Sequence, residues 1–173
     1  MTGFSIKSLS FPNAVLVVKE IGGSLKQRKY WDRYFDGVSA LIYVVDASSP
    51  KDNILDSISG LSAVLASPHL ADVPVLVIAN KQDLPGAVSA EEVQMELSFY
   101  VHLCTFKSYM VDIDLFCSEL ILIPHPFTSQ LQQRIGEHIS RDLLVLPCVG
   151  TQPIQARAAV EAFVAKYFVL EDQ

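Results

Sequence analysis

The sequence predicts an α/β fold in which a mostly parallel sheet is flanked by helices. Two continuous apolar runs, residues 40–45 and 73–79, are rich in β-branched side chains and leucine. Continuous rather than alternating runs are typical of strands that are covered on both faces. Each run is followed by a segment with helical features, and strands that alternate with helices are typical of parallel sheets.

The chain opens with a predicted β-hairpin and a helix. Residues 4–9 and 14–19 alternate or run apolar on either side of a Phe-Pro-Asn turn, which predicts two antiparallel strands. Two glycines, Gly22 and Gly23, then end the second strand. Four aromatic side chains follow at helical spacing, so residues 25–35 are predicted to be helical.

The later elements continue the alternation. The strand at residues 40–45 is closed by Asp46, a cap or turn residue, and residues 51–66 form a helix with isoleucine and leucine on one face. Ser89 followed by Glu92 forms a capping box, which predicts a helix that runs to about residue 97. A strand and an amphipathic helix close the chain, at residues 143–146 and 154–168.

The composition indicates one globular domain. The 173 residues are 50% hydrophobic and 18% charged, and the net charge of −6 comes without any block of Lys or Arg, so nucleic acid is excluded as an electrostatic partner. Three cysteines lack metal-ligand spacing, which fits a reducing compartment. Gly3 does not directly follow the initiator, so no lipidation site is expected, and neither is a signal peptide. We expect a cytoplasmic protein.

Residues 99–129 do not fit the alternation. The stretch is apolar without a clean period, and its charges exclude a membrane span, which needs about 20 uncharged residues. Two interpretations compete: an insertion specific to a family, and sequence that was never selected to fold, such as a translated intron. The second is favoured because the stretch lacks turn, capping and amphipathic signals.

The sharpest chemical signal is Asn80-Lys81-Gln82-Asp83 at the end of the second apolar run. Open α/β sheets bind ligands at the carboxyl ends of their strands. There the carboxylate of Asp83 can accept hydrogen bonds from N1–H and the exocyclic amine of guanine, two donors that adenine lacks. Asn80 would hold the loop, and the stem of Lys81 would cover the ring. The alternative is a polar turn without a ligand.

In this order the motifs resemble the ADP-ribosylation-factor-like small GTPases. The resemblance covers residues 3–98 and about 130–168. It rests on Gly3-Phe4-Ser5-Ile6, Glu20-Ile21-Gly22-Gly23, Arg28 with the aromatic residues Tyr30, Trp31, Tyr34 and Phe35, Asn80-Lys81-Gln82-Asp83-Leu84-Pro85 and Pro147-Cys148-Val149. It implies a P-loop-GTPase-like fold and a GTP- and GDP-dependent switch in trafficking or signalling. Its effectors would be proteins that bind the hairpin and the switch-II helix (residues 25–35), and peripheral association with membranes is compatible with it.

The resemblance also assigns roles to individual residues. Asn80, Lys81, Asp83, Cys148 and Val149 would contact the nucleotide base. The N–H of Gly23 would reach a γ-phosphate, and Glu20 stands where the family places an aspartate that holds Mg²⁺ through water.

Three departures weaken that assignment. The 173 residues contain no Gly-x-x-x-x-Gly-Lys-Ser/Thr run, the loop that binds phosphates and Mg²⁺. Glu20 is one methylene longer than aspartate, which makes Mg²⁺ doubtful, and Ser24 replaces the glutamine that orients the attacking water. We therefore expect a single truncated domain over residues 1–173 that lacks the first strand, the phosphate loop and the first helix.

For such a domain we expect weak or lost nucleotide binding, negligible hydrolysis and no catalytic residue. A missing central strand would leave unpaired strand edges and poor stability. The alternatives are a non-enzymatic protein-interaction module, or a non-functional isoform or gene-model product.

Overall fold

The computed structural model describes residues 4–11, 14–109 and 143–167 of the chain. In chain order the elements are β1 (Phe4–Phe11), β2 (Ala14–Ile21), α1 (Leu25–Arg28), a 3₁₀ turn (Trp31–Tyr34), β3 (Leu41–Asp46), α2 (Lys51–Leu65), a second 3₁₀ turn (Pro68–Leu70), β4 (Val75–Asn80), α3 (Ala90–Tyr109), β5 (Leu143–Pro147) and α4 (Pro153–Tyr167).

Two separate sheets are formed. Strands β3, β4 and β5 make a parallel three-stranded sheet with β4 in the centre, and β1 pairs with β2 in an antiparallel hairpin. The predicted α/β fold with a parallel sheet flanked by helices is thereby confirmed, and all five predicted strands are present. A parallel register places the carboxyl ends of β3, β4 and β5 at the same edge of the sheet.

The core lies on both faces of β4, as the continuous apolar run predicted. On one face, Val75 and Val77 pack in a buried cluster with residues of α2 and α3. On the other face, Leu76 and Ile78 pack with Phe163 of α4 and with Cys148. Alternate strand residues point to opposite faces, so helices on both sides bury every apolar side chain of this strand.

The predicted helix over residues 25–35 is wrong. Helix α1 ends at Arg28, and the only helical structure after it in this segment is the 3₁₀ turn at Trp31–Tyr34. Three side-chain contacts explain the break. Trp31 donates its indole N–H to the carbonyl of Gly22 (3.0 Å) and packs edge-on against Tyr43, while Arg28 pairs with Asp56 (2.9 Å). Tertiary contacts therefore override a helical spacing that aromatic residues support only weakly.

The predicted end of the third helix near residue 97 is also wrong. Its capping box is present, since the Ser89 N–H donates to Glu92 (2.8 Å) and the Glu92 N–H donates to the Ser89 hydroxyl (3.2 Å). The helix then runs on to Tyr109, because residues 98–109 contain neither Pro nor Gly to stop it. The rest of the irregular stretch, residues 110–129, lies outside the described residues. None of the described helices combines the length and apolar character that a membrane span requires.

Strand β3 has a free edge within the part of the chain that the structure describes. Its only strand partner there is β4. The N–H of Leu41 donates to the carbonyl of Pro74, and the N–H of Ala47, the residue after β3, donates to the carbonyl of Asn80. Since alternate N–H groups of a strand point the same way, the N–H of Val44 points away from β4. The side chain of Val44 is 56% exposed.

We expect Val44→Lys to reduce self-association of the 173-residue polypeptide, because a charged side chain on an edge strand opposes pairing with another edge. Sedimentation velocity should show the parent above its monomer mass of 19.1 kDa and the variant closer to it. Met95→Lys is the matched control, since Met95 is 65% exposed on a helix. Equal effects of the two substitutions would contradict the prediction.

Candidate functional site

The candidate site lies where the three parallel strands end. Asn80 is the last residue of β4 and lies opposite Asp46 of β3, while Ala79 lies opposite Pro147 of β5. The loops after β4 and β5 therefore leave the sheet side by side. Ligands of open α/β sheets bind at this position.

The side chain of Asn80 joins the two loops. Its Oδ1 accepts a hydrogen bond from the backbone N–H of Gly150 (2.7 Å). A Cβ at Gly150 would lie 2.8 Å from that oxygen, so any other residue at this position would require the Asn80 side chain to shift. The backbone adds two further bonds, from the Cys148 N–H to the carbonyl of Ala79 (2.9 Å) and from the Gln82 N–H to the carbonyl of Cys148 (3.2 Å).

Cys148 and Val149 are buried beneath this junction, at 2% and 9% exposure. Burial raises the pKa of the Cys148 thiol, and the opposing hydrogen bond with the Val149 backbone is the weaker influence. The thiol is consequently neutral at physiological pH. That state fits a small packing residue and argues against a reactive nucleophile.

Lys81 has a backbone φ of +66°, in the left-handed region that residues other than glycine seldom adopt. Its Nζ lies 2.5 Å from Oδ2 of Asp46. The other oxygen of Asp46 accepts bonds from the N–H (3.1 Å) and the hydroxyl (2.7 Å) of Ser48. Partial burial opposes ionisation of Asp46, but the bonds from Lys81 and Ser48 outweigh it and lower the pKa of the carboxyl.

Asp83 is exposed and has no hydrogen-bond or ion-pair partner among the described residues. The loop around it is held from the sides, because the Gln82 amide donates to the carbonyl of Val88 (2.9 Å) and the Leu84 N–H donates to the carbonyl of Lys81 (3.1 Å). A free carboxylate on a braced loop can accept two N–H groups from a ligand.

The residues predicted for phosphate and metal lie in another part of the chain. Glu20, at the end of the hairpin, accepts bonds from Lys7 (2.9 Å) and Ser5 (3.0 Å), which lower the pKa of its carboxyl. Gly23 is exposed, and its carbonyl accepts a bond from the Arg28 guanidinium (3.1 Å). Among the described residues, no hydrogen bond or ion pair joins Glu20 or Gly23 to the loops after β4 and β5. The described part of the chain contains no cluster of three or more His, Cys, Asp or Glu side chains that could hold a metal ion.

Ser24, which stands where the catalytic glutamine was expected, precedes α1. Its hydroxyl bonds to the side-chain amide oxygen of Gln27 (2.9 Å). The hydroxyl is thus engaged within its own turn.

Sequence reasoning missed two members of the site. Asp46 was interpreted as a turn residue, and its bonds with Ser48 fit that role, but its ion pair with Lys81 was not foreseen. Gly150 was not singled out. For Asp46 a signal was available in the sequence. Asp46 and Asn80 each directly follow an apolar run, and neighbouring parallel strands bring such residues together at one edge of the sheet.

Comparisons with known proteins agree with the geometry. The family model of the ADP-ribosylation factor family matches residues 1–118. ADP-ribosylation factor-like protein 15 from Bos taurus is 45% identical over 93 residues, which are 54% of this chain and 46% of that protein. ADP-ribosylation factor-like protein 1 from Saccharomyces cerevisiae is 43% identical over 96 residues, covering 56% of this chain and 52% of that protein. The matched region thus spans about half the length of these relatives.

A solved structure supplies the comparison of folds. The Arl6 (BBS3) small GTPase from Trypanosoma brucei, solved with the bound nucleotide analogue GppNp, aligns with a TM-score of 0.64 at 19% identity, over 96% of this chain and 80% of that one. This likeness concerns the fold alone. Since the family model covers more than half of the sequence, the chain belongs to the ADP-ribosylation factor family of small GTPases.

Proposed function

We propose that this polypeptide recognises the guanine base of GTP or GDP through the loops that follow β4 and β5. The observation that carries the proposal is the 2.7 Å bond between Asn80 and Gly150, which unites the two loops that would surround the base. In this proposal the protein is a cytoplasmic switch in trafficking or signalling that depends on guanine nucleotide.

The chemistry of the base contacts follows from the side chains. The carboxylate of Asp83 accepts N1–H and the exocyclic amine of guanine, and the aliphatic stem of Lys81 covers one face of the ring. Asn80 fixes the loop from below. Cys148 and Val149 bring backbone atoms close to the base. A buried donor or acceptor left unpaired costs about 1–3 kcal/mol, so these contacts favour guanine over adenine.

We further propose that the 173-residue polypeptide binds the phosphates weakly. Its sequence contains no Gly-x-x-x-x-Gly-Lys-Ser/Thr loop, and each charge-assisted bond to a phosphate oxygen is worth about 1.5–3 kcal/mol. Ser24 cannot orient a water as glutamine does, so hydrolysis is negligible. Glu20 is engaged by Lys7 and Ser5, so any Mg²⁺ that it would hold must compete with these partners.

The test is an NMR titration with guanosine and with GTP, on refolded protein diluted until it is monomeric. Guanosine is expected to bind with a dissociation constant on the order of 1 mM, which a few hydrogen bonds can supply, and GTP within about tenfold of it. Asp83→Ala should remove the shifts for both ligands. Binding of GTP at micromolar affinity or tighter would refute the weak phosphate contacts, and the absence of any shift with guanosine would refute base recognition.

A second candidate is a protein-interaction module that needs no nucleotide. One face of the hairpin supports it, because apolar side chains that share this face are exposed: Phe4, Ile6, Val15 and Val17, at 48–66%. The ring of Phe4 stacks on Tyr34 at 5.2 Å, so the hairpin and the segment after α1 form one continuous surface for protein effectors. Under this candidate, guanosine causes no shifts and Asp83→Ala changes nothing.

A further inference from the structure

Asp46 occupies a place in the candidate site that the base contacts do not use. It ends β3 directly opposite Asn80, and its two carboxylate oxygens have different partners. One oxygen is fixed by the N–H and hydroxyl of Ser48, and the other receives the ammonium of Lys81 at 2.5 Å. The inference below rests on the proposed function and extends it to a residue outside the base contacts.

The site holds two carboxylates and one nearby ammonium. Lys81 is two positions from Asp83, and its Nζ is paired with Asp46. Asp83 has no hydrogen-bond or ion-pair partner within the described ranges.

The pairing matters because a guanine-binding carboxylate must be both ionised and unoccupied. An ammonium on Asp83 would have to be displaced before N1–H and the amine could bind. The Asp46–Lys81 pair is about half exposed, with side-chain exposures of 39% and 46%, so solvent screens it and an alternative partner for the lysine is readily reached.

We propose that Asp46 is a positioning residue that sequesters the Lys81 ammonium and thereby keeps the Asp83 carboxylate free for the guanine base. Ser48 binds the other oxygen of the Asp46 carboxylate and so fixes the orientation of the group, and the parallel register of β3 and β4 places Asp46 directly opposite Asn80, the residue before Lys81.

The test is a double-mutant cycle read by guanosine titration. Asp46→Asn keeps an oxygen acceptor for Ser48 and removes the charge. It should weaken guanosine binding about twofold to fivefold, the range that exposed ion pairs supply. Lys81→Met keeps the apolar stem without the ammonium, and adding Asp46→Asn to it should change nothing further.

A matched control separates this effect from a general loss of charge. Asp56→Asn breaks an ion pair with Arg28 of similar length, outside the candidate site, and should leave guanosine binding unchanged. Equal affinity of Asp46→Asn and the parent would overturn the inference. An undiminished loss in the Lys81→Met background would overturn it too, since Asp46 would then act through the turn alone.

A measurement without ligand distinguishes this inference from the proposed function. In Asp46→Asn, nuclear Overhauser contacts between the Lys81 ε-methylene and the Asp83 β-methylene should appear, and they should be missing in the parent. If guanosine does not bind the parent, base recognition fails and these contacts alone decide the inference: their absence overturns it. Should Asp46→Asn fail to fold, Asp46→Ser, which also keeps an oxygen for Ser48, replaces it in both experiments.

Discussion

Asp83→Asn is expected to reverse the base preference from guanosine to xanthosine. The carboxylate of Asp83 offers two acceptors to the two neighbouring donors of guanine. An amide offers one acceptor and one donor, and xanthine carries an oxygen where guanine carries its amine. The amide of the variant therefore matches xanthine. With guanine, the NH₂ of the amide would face the exocyclic NH₂ of the base, so that two donors would meet. An unpaired polar group costs about 1–3 kcal/mol, so guanosine binding should weaken about tenfold to a hundredfold.

The measurement is a pair of NMR titrations, with guanosine and with xanthosine, on the parent and the variant. Asp72→Asn serves as the control, because Asp72 is an exposed loop residue that precedes β4, whereas Asp83 follows it. A variant that still prefers guanosine would show that Asp83 does not face the base edge.

Phe163→Ala is expected to cause the largest loss of stability. Phe163 is 1% exposed on α4, where it packs against Leu76, Ile78 and Cys148, and its ring lies 5.0 Å from that of Tyr167. Truncation leaves a cavity as well as losing burial, so the free energy of unfolding should fall by about 3–5 kcal/mol. Since a domain of this size is marginally stable, such a loss removes a large share of the total.

Urea denaturation followed by circular dichroism measures the change. Phe99→Ala is the matched control, because Phe99 is 59% exposed and its truncation should change the unfolding free energy by no more than about 0.5 kcal/mol. Equal destabilisation by the two substitutions would contradict the assignment of Phe163 to the core beneath the candidate site.

Elements with one dominant signal could be predicted from the sequence. The continuous apolar run of β4 predicted a strand covered on both faces, and its two faces contact different helices. The capping box at Ser89 located the start of α3 to the residue. The Asn-Lys-x-Asp run indicated which edge of the sheet carries the candidate site, because these polar residues come directly after the apolar run and therefore lie at the carboxyl end of the strand.

Elements with competing signals could not be predicted. Residues 25–35 have helical spacing, but the bonds of Trp31 to Gly22 and of Arg28 to Asp56 break the helix, and neither partner is implied by local sequence. The end of α3 was misplaced for the opposite reason. Irregular periodicity suggested an end near residue 97, but residues 98–109 contain neither Pro nor Gly, and a helix that has already formed gains one backbone hydrogen bond for each residue it adds.

The order of strands and helices, the family and the guanine-type motif can all be read from the chain, because apolar periodicity and the backbone preferences of single residues act over a few positions. The partner of Lys81 cannot be read in this way. Asp46 and Lys81 are 35 positions apart, and Asn80 and Gly150 are 70 apart. Such pairs depend on the parallel register of β3, β4 and β5, which forms only when helices cover both faces of the sheet.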